Sequence, residues 1–311
     1  LDQAALKLLE GLLSDRKLCE VLSSQMGAEF VLGLVQSLEG EKDPRCLVVG
    51  LSSLRMVQAG FAPSVVEETC EAVFDATACY FPVTFTPPPN DPHKINPDDL
   101  KQGLQAVLVG SPCMAAHAVP MMLDKLASEV PAAKEAAMKG LVASVKSFSL
   151  EGALGSPMVS GSLGDPVVAG AGAGEMNIGG IGDALFEEVV RGGDPSLSSL
   201  ALSSLSEVAR LIATRAELLA KPEACVEWLS LSDLLLRRCV REAAGPSPAS
   251  MLGRGCAKVM KSVAASSALG LRSTLALADP LLLPTPSSKS PSLSTSSSTA
   301  PSPPPPLLQT S

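Results

Sequence analysis

GEKDPRCLVVGLSSLRMV, residues 40–57, decides how the rest of the chain is read. Gly40 to Asp43 form a polar turn, Asp43 stands where a helix cap is needed, and Pro44 falls at the first helical position, where its missing N–H removes no hydrogen bond. The run from Cys46 to Val57 that follows reads as a new helix. Outward from this stretch the same start signal recurs. Asn96-Pro97, Ser111-Pro112 and Asp194-Pro195 each precede an apolar run, and Pro63 and Pro131 open two more. On the N-terminal side, Leu1, Ala5, Leu8, Leu9 and Leu12 follow helical spacing, as does the run Phe30 to Leu38.

Further along, Val65, Val66, Thr69, Cys70, Val73 and Phe74 carry a buried face to Ala78, and Leu100, Leu104, Val107 and Leu108 carry the next. One helix runs to Ala127 with Pro120 inside it, and another ends near Phe148. The pattern resumes at Asp183 with ALFEEVV, continues over Leu197 to Ile212 and Trp228 to Val240, and closes with Met251 to Leu269. Helices of roughly 12 to 20 residues, paired roughly every 35 to 45 residues, belong to HEAT or armadillo arrays, in which no pair buries its apolar face alone. The competing architecture is a globular helical bundle. With no strand-like alternation and with recurring caps, the sequence predicts an all-α chain, an α-solenoid of HEAT/armadillo-like helix pairs.

Composition agrees with that architecture. The 311 residues are 46% hydrophobic but only 3% aromatic, so the apolar surface is mainly Leu, Ala and Val, which suits helices packed on helices. A net charge of −8 without a Lys/Arg stripe argues against a direct grip on nucleic acid. Apolar runs are interrupted before membrane-spanning length, so no membrane partner is expected. Eight dispersed cysteines without a C-x-x-C suggest a reducing compartment, cytoplasmic or nuclear. The helical pattern is already under way at Leu1, which reads as a fragment of a longer chain.

Residues 1–148 therefore read as N-terminal HEAT-like repeats, and 149–182 as a Gly/Ser-rich flexible insertion. Residues 183–283 read as further HEAT-like helices, and 284–311 as a disordered Ser/Pro-rich tail.

The candidate chemistry is sparse. Cys113 and His117 sit four residues apart on one predicted helix face, but nothing nearby completes the three or four ligands that zinc requires. A partly buried thiol and a satisfied or surface imidazole explain them better. GAGAGEMNIGG, 170–180, has the glycine density of a phosphate loop without its Lys-Ser/Thr, and reads as linker. Glu187, Glu188, Asp98 and Asp99 fall in first helical turns, where carboxylates complement the helix dipole. No catalytic residue, cofactor or metal is expected.

CYFPVTFTPPPNDP, 79–92, is unlike its surroundings. The chain has one Trp, one Tyr and seven Phe, and here Tyr80, Phe81 and Phe85 fall together before Pro87, Pro88 and Pro89. Prolines end the helix, and Asn90, Asp91 and Pro92 favour a turn, so the stretch reads as a rigid extended connection. Its aromatics have two available jobs: packing onto the solenoid ridge as a staple, or facing a partner. Packing weighs more. The candidate partner surface is Tyr80, Phe81, Phe85, Pro87, Pro88, Pro89, Asn90, Asp91 and Pro92.

Residues 79–112, CYFPVTFTPPPNDPHKINPDDLKQGLQAVLVGSP, closely resemble one known family. GEKDPRCLVVGL at 40–51 and VPMMLDKLASEVPAAKEAAMKGL at 119–141 share that resemblance. The family is the HEAT-repeat adaptor of cytosolic iron–sulfur protein assembly, also named a nucleotide excision repair and transcription protein and first known from methyl methanesulfonate sensitivity; its N-terminal domain is the part resembled. The match is specific over about 40–148, looser from Asp183 to Leu283, and does not reach the insertion or the tail. The resemblance implies a non-enzymatic α-solenoid scaffold. Its implied partners are subunits of the cytosolic iron–sulfur targeting complex and client apoproteins such as DNA helicases, primase and polymerases. The alternative keeps the solenoid as a transport or regulatory adaptor unrelated to iron–sulfur assembly.

Overall fold

A computed structural model describes residues 3–87, 95–151, 177–218, 225–243 and 251–282. The described residues hold fourteen α-helices and one 3-10 turn, with no strand among them. The first half holds α1 (Gln3–Leu13), α2 (Arg16–Gln25), α3 (Ala28–Leu38), α4 (Pro44–Gly60), α5 (Pro63–Glu68), α6 (Cys70–Ala78) and α7 (Pro97–Leu108). After a 3-10 turn at Pro112–Met114 come α8 (Ala115–Ala127) and α9 (Pro131–Glu151). The second half holds α10 (Ile178–Arg191), α11 (Pro195–Glu217), α12 (Val226–Ala243), α13 (Met251–Ser266) and α14 (Ala268–Leu282).

Side chains cap these helices as their sequences demand. Asp43 accepts from the Arg45 amide at 2.9 Å, Asn96 from the Asp98 amide at 3.1 Å, and Asp194 from the Ser196 amide at 2.7 Å. In each, a Pro at the first helical position follows the cap, satisfying or removing the amides that lack an intrahelical acceptor.

The helices form two stacked layers. In the first, α1 packs on α4 and α4 on α7, and α9 packs on α11 and α11 on α13. In the second, α3 packs on α6, α6 on α8, α8 on α10, α10 on α12 and α12 on α14. Apart from the short α2 and α5, successive helices alternate between the layers, which is the stacking of an α-solenoid. One apolar core runs between the layers from Leu6 to Leu269. On α11 the fully buried Leu205, Val208, Ala209, Ile212, Ala213 and Ala216 repeat at three and four residues, one continuous stripe. Each fully buried Leu or Ile adds about 1.5–3 kcal/mol. No single described helix is long and apolar enough to cross a membrane.

The structure corrects several element boundaries. A helix absent from the sequence reading, α2, is polar overall, burying only Cys19 and Ser23, and is started by the Asp15 carboxylate. The run Pro63 to Ala78 is two helices, parted at Thr69, whose hydroxyl donates to the Val65 carbonyl at 2.8 Å. The closing run to Leu269 divides at Ser267, whose hydroxyl accepts from the Gly270 amide at 2.9 Å and starts α14.

The stretch 149–182, expected as a flexible insertion, is helical at both described ends: α9 reaches Glu151 and α10 begins at Ile178. The Gly180 amide donates to the Asn177 side chain at 2.8 Å, starting α10 inside the glycine-rich text. Gly182 is there because α12 passes close by: a Cβ on it would lie 2.6 Å from Leu231 Cδ1. The remaining expectation for this stretch, over 152–176, and that for the Ser/Pro tail lie outside the described residues.

Candidate functional site

The aromatic stretch leaves α6 at its C-terminal end. Phe81 and Tyr80 turn back, their amides donating to the Ala78 and Thr77 carbonyls at 3.1 Å, and the Phe81–Pro82 peptide is cis. From there, residues 81–87 run extended over the edge of the first layer.

Tyr80 ties this strap to the preceding repeat. Its hydroxyl lies 2.7 Å from the Leu38 carbonyl and 3.1 Å from the Glu41 carbonyl, donating to the nearer. Leu38 ends α3, so its carbonyl has no partner within the helix, and the phenol supplies one. Burial pushes the Tyr80 pKa up, so the phenol keeps the proton it donates. Phe81, Val83 and Phe85 are partly buried and pack against the core, while Thr84 and Thr86 face solvent. The alternation is that of an extended segment lying on a surface.

Two clefts flank the strap. A cavity of about 330 Å³ is walled by Tyr80, Val83 and Phe85, by Leu47 and Leu51 of α4, and by Leu100 of α7, with Glu41 and Lys42 at its margin. A second, about 190 Å³, lies between Phe81 and Val83, Gln105 of α7, and Ala132 and Ala136 of α9. The ion pairs Lys101–Asp98 (3.1 Å) and Lys139–Glu135 (2.6 Å) border it. The clefts therefore have apolar floors and rims of mixed charge. Between α7 and α9 the first layer opens, and the Ser147 hydroxyl bridges the gap by donating to the Val109 carbonyl at 2.8 Å.

Of the residues singled out in the sequence, Tyr80, Phe81, Phe85 and Pro87 lie on this strap. Pro88, Pro89, Asn90, Asp91 and Pro92 fall outside the described residues. The sequence reading missed Leu47, Leu51, Leu100, Lys101 and Lys139, which complete the clefts from neighbouring helices. Their signal, an apolar or basic position at a helix edge, is shared with many other positions.

Cys113 and His117 do not converge on a common site. His117 stacks on Phe74 with ring centroids 5.3 Å apart, whereas Cys113 faces the Ser111 hydroxyl at 3.2 Å and the Val66 carbonyl. Among the described residues no three His, Cys, Asp or Glu side chains are grouped to hold a metal ion.

Fold and site together define a helical-repeat solenoid with an aromatic strap crossing between its repeats. Residues 3–156 match the family described as Dos2-interacting transcription regulator of RNA-Pol-II, MMS19_N, and through this half the chain belongs to that family. It is 43% identical over 112 residues to the human MMS19 nucleotide excision repair protein homolog, covering 35% of this chain and 10% of that protein. Against the Danio rerio homolog identity is 38% over 125 residues, 40% of this chain and 12% of the relative. A DNA repair/transcription protein of Saccharomyces cerevisiae, the yeast MMS19, is 34% identical over 119 residues, 38% of this chain and 11% of the yeast protein. The matched stretch thus spans about a tenth of these curated relatives. It is the family that the residues at 40–51, 79–112 and 119–141 resemble, and its members are named for DNA repair and transcription.

Proposed function

We propose that this chain is part of a non-enzymatic adaptor of the cytosolic iron–sulfur targeting complex, working in cytoplasm and nucleus. Its role is to recruit apoproteins of DNA repair, replication and transcription for cluster insertion. The observation that carries this reading is the strap at 79–87, which lies between two open clefts on the first layer. Here the family wording coincides with a rigid, partly apolar surface. Extended polypeptide from a partner fits such clefts, its apolar side chains entering the floors and its polar groups meeting the mixed-charge rims. Ordering the strap in advance, through Tyr80 and the prolines, lowers the entropy lost on binding.

The partner surface comprises Tyr80, Phe81, Phe85 and Pro87, with Pro88, Pro89, Asn90, Asp91 and Pro92 continuing it in sequence. Affinity purification of the full-length protein from its own cells tests the reading, with 79–92 intact or with Pro87–Pro89 replaced by Ala. Recovery of iron–sulfur assembly factors in both forms, with clients lost from the replaced form, is the expected result. Undiminished client recovery with the fold intact removes the strap from the interface. Recovery of neither class of partner by the intact protein overturns the adaptor role itself.

A further inference from the structure

Two pairs of thiols meet across helix boundaries, and they differ in access. Cys70 is the first residue of α6, and Cys113 lies in the 3-10 turn that leads into α8. The two thiols share a hydrogen bond. Cys70 Sγ also lies 3.4 Å from Met114 Sδ, so its proton has sulfur acceptors on two sides. Cys70 is 5% exposed, whereas Cys113 is partly open to solvent beside the exposed Pro112. Both line one narrow cavity with Val66 and Met114. In the second pair, Cys239 of α12 and Cys256 of α13 are also hydrogen-bonded but are both fully enclosed.

Electrostatics separate the pairs further. The hydrogen bond from Cys70 is the largest influence lowering the Cys113 pKa, to about 6, with help from the Ser111 hydroxyl and the residue's own amide. Burial and the Glu67 carboxylate work against it. The same hydrogen bond raises Cys70, which keeps its proton. At Cys239 and Cys256 burial is the leading influence, and it raises both. A thiolate stabilised by hydrogen bonds, reachable from solvent and next to a second thiol, is the arrangement of an oxidant-sensitive cysteine.

We propose that Cys113 is a peroxide-sensitive thiol and Cys70 its resolving partner, forming a reversible modification site that cross-links α6 to the turn before α8. The Cys113 thiolate attacks one oxygen of hydrogen peroxide. The O–O bond breaks, Cys113 becomes a sulfenic acid, and the departing hydroxide takes a proton to leave as water. Cys70 sulfur then attacks Cys113 Sγ, an S–S bond forms, and the sulfenic oxygen leaves as a second water with the Cys70 proton. Two thiols are oxidised by two electrons, and one peroxide is reduced to two waters. The cross-link pins the N-terminal end of the helix from whose other end the strap emerges.

The experiment uses the unaltered 311-residue protein, treated with hydrogen peroxide, alkylated and mapped by non-reducing peptide mass spectrometry. A Cys70–Cys113 disulfide that forms before any Cys239–Cys256 bond and reverses with dithiothreitol is the expected result. Without oxidant, iodoacetamide labels Cys113 about tenfold or more faster than Cys239. In Cys70→Ala, a dimedone adduct accumulates on Cys113; in Cys113→Ser, Cys70 forms neither disulfide nor adduct. Equal labelling of Cys113 and Cys239 in the folded unaltered protein overturns the proposal, as does a first disulfide formed elsewhere. Because these two readouts need no substitution, a variant that misfolds does not decide the matter.

Discussion

The two halves of the solenoid join their repeats by different means. In the first half, α3, α4 and α7 are tied by a backbone strap whose Tyr80 hydroxyl caps the end of α3 and whose aromatic side chains lie on the core. Ion pairs such as Arg16–Glu20 and Lys139–Glu135 stay within a single helix there. In the second half the ties are charged side chains between helices. Arg238 of α12 donates to Asp183 and Glu187 of α10 and, at 3.0 Å, to Glu242 on its own helix, with its guanidinium 4.6 Å from the centre of the Phe186 ring. Burial opposes the Arg238 charge, but the hydrogen bonds to Glu242 and Glu187 and the Asp183 charge outweigh it and raise its pKa. Lys134 of α9 and Glu188 of α10, 20% and 9% exposed, extend these charged ties at 2.6 Å across the boundary between the halves. The strap leaves clefts with apolar floors beside it, whereas the charge cluster borders an open groove of about 870 Å³ lined mainly by charged side chains such as Asp233, Arg237 and Arg241. The half that matches the family is the one with the strap and the apolar clefts beside it.

The comparison breaks first at Arg238. Arg238→Ala leaves carboxylates crowded and partly buried without their cation, and a loss of about 2–4 kcal/mol is expected, read as a lower urea midpoint. A change below about 1 kcal/mol would mean that apolar packing alone joins α10 to α12. Close approach is the second tie in that half: Gly182→Val drives a branched side chain into Leu231 and is expected to cost about 1–3 kcal/mol in the same assay.

In the first half the effects are smaller and more local. Tyr80→Phe removes one of two donors at the Leu38 carbonyl, the Glu41 amide remaining at 3.1 Å, for a loss of about 1 kcal/mol or less. It should speed amide exchange at the end of α3 and along 80–87 while leaving α10–α14 unchanged; uniform acceleration over both halves would argue that the strap carries global stability. Asn96→Ala removes the cap of α7, worth about 1 kcal/mol or less, with exchange faster in its first turn.

A final test concerns pH and is the smallest. The Ser196 hydroxyl and amide hold the Asp194 carboxyl below the usual carboxylate range. Because the folded value is the lower one, the contribution of this cap is full above the ordinary value of 3.8 and disappears as pH falls through the depressed one. Titration of Asp194 by NMR should show the low value, and Ser196→Ala should move it back upward.

How far each feature was legible in the sequence depends on how local its cause is. Helix starts at Pro44, Pro97 and Pro195 could be read because cap and proline act within three residues of each other. The all-α class and the stacking of pairs could be read because apolar stripes at helical spacing demand neighbours, and the family followed from the wording of 40–141. By contrast, α2 hid in a polar stretch, and the break at Thr69 arises from a hydroxyl returning to its own preceding turn. Gly182 became intelligible only with Leu231 beside it, since a glycine that permits close packing and one that loosens a linker look alike in text.

Sequence by itself determined most of the helices, their alternation and the extended course of residues 81–87, because caps, prolines and apolar periodicity act on neighbours along the chain. Tertiary structure alone decided that Tyr80 meets the Leu38 carbonyl, that clefts open on both sides of the strap, and that Cys113 pairs with Cys70 rather than with His117. Those relations join residues some forty positions apart, and their free energy comes from burial and hydrogen bonds that exist only once the layers have stacked.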